Sequence, residues 1–241
     1  MAHCRSYLNL RKWLVANMVR RKGREPIARR QHRPDRKIPD YGHVLIICEG
    51  EKSEPIYFNE LRKHYQMNNV VVTSADGTDP VSIVRTARHR QKEADARGKP
   101  YDRVYCVFDR DEHANFDDAS QQLEYLRKRG FYPIRSWPCF EFWLLLHFTY
   151  TRRPFERDGR QTAARNCESA LRREMPHYRK GATGVFMELL PRLEAARERA
   201  ARAREDAKAT LENNPSTEVH ELVDYLRRLR MGNGPEGAAL C

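Results

Sequence analysis

The sequence predicts an α/β fold: a four-stranded parallel sheet flanked by helices, followed by a helical C-terminal extension. Three observations carry this expectation. Apolar runs of about five residues recur with helical segments between them, the alternation produced by a parallel sheet covered on both faces. The best of these runs, Val44 to Cys48 and Val104 to Phe108, are apolar throughout, as strands buried on both sides are. After Pro138 the alternation stops and only helical patterning follows.

The first strand is His43 to Cys48. A helix from about Ser53 to Gln66 follows, with Ser53 as N-cap and Ile56, Tyr57, Phe58 and Leu61 as apolar positions. Asn69 to Thr73, rich in β-branched residues, is the second strand. Asp79-Pro80 puts an N-cap before a proline at the first helical position and opens a helix to about Ala96, which Gly98-Lys99-Pro100 terminates. Arg103 to Phe108 is the third strand. A helix from about Asp117 to Arg129, closed by Gly130, leads to the fourth at Phe131 to Ser136. The later helices are Cys139 to Phe148, Thr162 to Arg173, Phe186 to about Leu211 and Ser216 to Arg230. Between Arg192 and Arg202 the third of these alternates Arg, Glu and Ala, which reads as an outer cover or partner surface held by i,i+4 charge pairs. The implied organisation is a basic arm over 1–42, an α/β core over 43–150, a helical extension packed on it over 151–231 and a frayed tail over 232–241.

With 241 residues, 40% of them hydrophobic, the chain can build a core of substantial size. No apolar stretch approaches the roughly 18 to 20 residues of a membrane span, and Phe140 to Phe148, the longest candidate, contains Glu141 and His147. Six scattered cysteines with no C-x-x-C pair read as reduced, buried thiols, which argues against structural zinc and for a cytoplasmic protein. Of the net charge of +12, nine units fall in residues 1–42, where twelve Lys and Arg face three acids. The clusters Arg20-Arg21-Lys22 and Arg29-Arg30 would be drawn to phosphate backbones; a merely solvated tail is the competing reading. Met18 is an alternative start.

Chemistry concentrates where strands end. The first strand runs into Glu49-Gly50-Glu51-Lys52-Ser53-Glu54 and the third into Asp109-Arg110-Asp111. If these strands are neighbours and the strand order reverses between them, their carboxyl ends form a ligand crevice, and acids there suit Mg²⁺ or Mn²⁺, which take oxygen ligands. Each acid also has a structural reading: a turn or cap at Asp109 and Asp111, and a first-turn acid at Glu54. Glu141 is a lone carboxylate in an apolar helix and needs a metal, Arg135 or a capping role. Lys52 and Arg110 are candidate phosphate contacts, while His147 reads as a core histidine or a catalytic one. There is no G-x-S-x-G elbow, no G-x-x-x-x-G-K-[ST] loop and no H-E-x-x-H, so any energy coupling by ATP belongs to another polypeptide.

The Ile46-to-Phe58 block with its Glu49-Gly50, Val107-Phe108-Asp109-Arg110-Asp111, Phe140 to Phe148, and Asn214-Pro215-Ser216-Thr217 together resemble the RloB family, and the strand-Glu-Gly and strand-Asp-x-Asp pattern resembles the Toprim domain. The resemblance spans about residues 43 to 230. It implies a Toprim-like sheet, a divalent-metal site at Glu49, Asp109 and Asp111, and a place in bacterial defence beside a separately encoded ATPase. The leading expectation is a metal-dependent nuclease acting on RNA such as tRNA, or on DNA. Two cations roughly 3.5 to 4 Å apart would serve an in-line attack on a phosphodiester, with Glu54 and Glu141 completing their surroundings and Glu49 as ligand or general base. A nucleic-acid-binding or ATPase-docking module without turnover is the second expectation. Nucleotidyl transfer of the primase type is the third, for which the chain carries no zinc-binding or primer-handling domain.

Overall fold

The computed structural model describes residues 42–77, 79–110 and 114–231. Residues 1–41, with the basic clusters, and Asp111 lie outside them. Strands β1 (Val44–Cys48), β2 (Val70–Ser74), β3 (Arg103–Asp109), β4 (Phe131–Trp137) and β5 (Ser216–Thr217) form one sheet in the order β2-β1-β3-β4-β5. The first four are parallel. Adjacent β1 and β3 pair Cys48 with Val107, and the strand order reverses between them.

The fifth strand corrects the four-stranded expectation. It is antiparallel to β4, pairing Thr217 with Ser136 and Ser216 with Trp137. Two residues carry no readable periodicity, and Ser216 looked like the start of the last helix. Tertiary partners decide otherwise: the buried Ser136 and Thr217 hydroxyls meet at 3.1 Å, and the Glu218 N–H donates to the Arg135 carbonyl at 2.8 Å.

Alternate strand residues point to opposite faces, and the core divides accordingly. Leu45, Ile47, Val104, Cys106 and Phe108 pack against α2 (Pro80–Ala96) and α3 (Phe116–Leu126). Val44, Ile46, Cys48, Tyr105 and Val107 belong to the larger cluster on the other face. That cluster includes α1 (Ser53–His64), α4 (Glu141–Leu145), α5 (Ala163–Glu174), α6 (Val185–Leu189), α7 (Leu193–Thr210) and α8 (Val219–Arg230). Helices thus cover both faces. None of the described helices is long and apolar enough to cross a membrane.

Local chemistry explains most boundaries. Asp79 caps α2 as expected, accepting the Val81 and Ser82 N–H groups at 3.1 Å. Ser53 is the first residue of α1 rather than its cap, and its hydroxyl lies 3.3 Å from that of Tyr178. The single helix expected from Phe186 to Leu211 is two helices joined by a 3-10 turn, Leu190–Arg192, because Pro191 has no N–H to continue the first. Nor is α7 an outer cover. Its Ala196, Ala200, Ala203 and Ala207 are buried, and a stripe of small side chains lets the helix approach its neighbours closely where a hydropathy reading sees little apolar surface.

Candidate functional site

Parallel pairing brings two acid-bearing strand ends together. Glu49 follows β1, donates its N–H to the Val107 carbonyl at 3.0 Å, and with its Oε2 accepts the Asp109 N–H at 3.0 Å. Asp109 ends β3. Its Oδ2 accepts the Phe140 N–H at 3.1 Å, while its Oδ1 is buried with no hydrogen-bond partner among the described residues. Glu54 reaches in from the first turn of α1 and Glu141 from the first turn of α4. A Cβ on Gly50 would stand 3.2 Å from Glu54 Oε2, so glycine there leaves that carboxylate its room. Together with Asp76 and Lys180 these four acids line a pocket of about 770 Å³.

Crowded, buried carboxylates resist ionisation. Burial raises the Asp109 pKa well above the usual carboxylate range, and the charges of Glu54, Glu141 and Glu49 add to the effect against the Phe140 amide. Glu54 is pushed up to about 7 by burial and by Glu141, opposed by its own backbone N–H and by Lys180. An added cation is what such a donor set lacks, and all its donors are the hard oxygens that Mg²⁺ or Mn²⁺ take. The acids and the unmet Asp109 Oδ1 therefore fit a divalent ion in type. Among the described residues, however, no three His, Cys, Asp or Glu side chains converge closely enough to form a metal cluster by themselves.

Glu49, Glu54, Asp109 and Glu141 are thus gathered as the sequence suggests. Lys52 is exposed at the rim. Arg110 is not on the pocket wall: its N–H donates to the Ser136 carbonyl at 2.8 Å and its guanidinium stands 5.2 Å from the Phe116 ring centroid. Asp111, Arg20, Arg21, Lys22, Arg29 and Arg30 lie outside the described residues. Arg135 is not the partner of Glu141; its guanidinium bonds Glu218 at 2.8 Å and Glu124 at 3.2 Å. His147 is a core residue. Its Nδ1 lies 3.1 Å from the Trp143 carbonyl, and burial lowers its pKa to about 4.

The partners of Glu141 escaped the sequence. They are the Tyr178 hydroxyl, which donates to Oε1 at 3.0 Å, and Lys180 Nζ at 3.4 Å from the same oxygen. Burial works against the Lys180 ammonium, but the charge of Glu141, together with those of Cys139, Glu168 and Asp109, raises the Lys180 pKa. Both partners sit in an irregular segment between α5 and α6 where no periodicity distinguishes one basic residue from another. Asp76, just past the end of β2, carried the one usable signal, an acid at the tip of a parallel strand.

A family model described as RloB-like protein matches residues 44–226. No curated protein matches the chain.

Proposed function

Because the chain belongs to the RloB-like protein family, we propose that it is a metal-dependent nuclease with a Toprim-type sheet, cleaving phosphodiester bonds of RNA or DNA. The observation that carries this reading is the meeting of Glu49 with Asp109 at the neighbouring ends of β1 and β3, with Asp109 Oδ1 buried and unmet among the described residues. Glu49, Asp109 and Asp111 would hold Mg²⁺ or Mn²⁺. A bound ion of this kind supplies Lewis-acid stabilisation of phosphoryl charge and lowers the pKa of water.

The chain's own residues supply the rest. The Phe140 amide orients the Asp109 carboxylate, and the Asp109 amide orients that of Glu49. Glu54, on the wall of the same pocket, is placed to take a proton from an attacking water. The family resemblance adds the setting: an effector of bacterial anti-phage defence in the cytoplasm, working with a separately encoded ATPase.

One observation favours a second reading, a nucleic-acid-binding or ATPase-docking module without turnover. It is the net charge of +12, nine units of it in residues 1–42, which draws a chain to phosphate backbones whether or not it cleaves them. A single experiment separates the two. Purified protein is incubated with Mg²⁺ or Mn²⁺ and, separately, total tRNA, genomic DNA and plasmid. Cleavage that Asp109→Ala and Glu49→Ala both abolish, with circular dichroism unchanged, supports the nuclease. Full activity in both variants defeats the site assignment. No cleavage and no Mn²⁺ binding by calorimetry, with salt-sensitive nucleic-acid binding, favours the second reading.

A further inference from the structure

Glu141 is only 1% exposed, and its Oε1 serves two donors from the segment between α5 and α6. One is the Tyr178 hydroxyl, itself 3.3 Å from the Ser53 hydroxyl at the start of α1. The other is Lys180 Nζ, whose side chain is 50% exposed and lines the same pocket as Glu49, Glu54 and Asp109. Gly181 follows with a φ of +83°, and a Cβ on it would stand 3.3 Å from Lys52 Cβ. Glycine therefore lets this segment close onto the residue before α1. The outcome is an ammonium set in place by a buried carboxylate. It carries three donors, of which the pair with Glu141 uses one.

A pocket walled by carboxylates repels a phosphate group, so a nucleic acid entering it needs fixed positive charge beside the acids. Lys52 stands exposed at the rim, whereas Lys180 is held by Glu141. We propose that Lys180 contacts a phosphate oxygen of the nucleic-acid substrate and that Glu141 and Tyr178 are positioning residues that hold it there. The identity of the substrate rests on the nuclease reading. The role of Glu141 then runs through Lys180, and the helical extension supplies part of the site.

The test uses the full chain and two probes, a short fluorescein-labelled single-stranded RNA and its DNA counterpart. Binding is read by anisotropy in Ca²⁺, with probe integrity checked on a gel, and Mn²⁺ binding is read separately by calorimetry. Lys180→Gln is expected to weaken binding of the preferred probe by about tenfold, the loss of one charge-assisted contact, without weakening Mn²⁺ binding. Lys180→Arg keeps the charge and most of the affinity. Glu141→Gln and Tyr178→Phe lose affinity in the same direction, and Lys180→Gln combined with Glu141→Gln is no worse than Lys180→Gln alone. Lys63→Gln, at an exposed position of α1, binds as the parent does.

Three results overturn the proposal: unchanged probe binding in Lys180→Gln, failure of the parent protein to bind either probe, or a loss of Mn²⁺ affinity in Lys180→Gln as large as its loss of probe affinity. The two readings fail separately. If the parent neither binds Mn²⁺ nor cleaves, yet Lys180→Gln loses probe binding, the nuclease falls and the contact stands. A cleaving parent with undiminished probe binding in Lys180→Gln gives the reverse.

Discussion

At Glu54, burial and the Glu141 charge raise the pKa from 4.5 to about 7. Between those values the native protein holds more protons than the unfolded chain, so this group's contribution to stability falls as pH rises through that window and levels off above it. His147 acts in the opposite sense: buried and neutral with a pKa lowered from 6.5 to about 4, it takes stability away as pH falls through that interval. Comparing metal-free wild type with Glu54→Gln at each pH cancels the His147 part, and the gap in urea midpoint between them should widen in favour of the variant from about pH 4.5 to 7. A matching expectation concerns Asp109. Asp109→Asn removes a group whose ionisation burial and three neighbouring acids oppose, a cost the wild type bears at pH 8 in either protonation state, so the metal-free variant should be more stable than wild type there by roughly 1 kcal/mol while losing Mn²⁺ binding, as residues kept for function rather than stability behave. Lower or equal stability in Asp109→Asn would mean that the repulsion is already relieved. Glu49, Glu54, Asp109 and Glu141 were legible in the sequence because each sits at a strand end or a first helical turn, where local pattern fixes position. Lys180 was not, because an irregular segment takes its place from tertiary contacts alone.

Among the elements, the strands β1 to β4 and the helices between them were legible almost to their ends, since periodicity and Asp79-Pro80 or Gly130 punctuate them. Two of the misreadings arise from packing that no local pattern records. Strand β5 is held by partners distant in sequence, and α7 packs through alanines whose small surface hides their burial. That second cause yields a prediction. Ala200 is fully buried, so Ala200→Leu overpacks the seam and should cost ~1–3 kcal/mol in urea unfolding. Glu205→Leu, on the exposed side of the same helix, should stay within about 0.5 kcal/mol. Equal effects at the two positions would place the seam elsewhere.

Across the whole molecule, sheet and extension share one apolar cluster and one ion-pair junction. Glu218, 4% exposed, accepts the Arg135 guanidinium from β4 and the Arg204 guanidinium from α7, both at 2.8 Å. Removing the shared anion leaves two cations in a half-buried setting, so Glu218→Ala should lose ~3–5 kcal/mol. The pairing also predicts that the full chain melts in one calorimetric transition and that a chain ended after residue 150 shows no cooperative melt. A truncated chain that melts cooperatively would show that the sheet stands without its cover. The order of segments has one more outcome. On the ribosome Glu49 and Asp109 emerge long before Lys180, which lines their pocket. A nascent chain therefore has its carboxylates early and the completed cavity only after Lys180 has emerged.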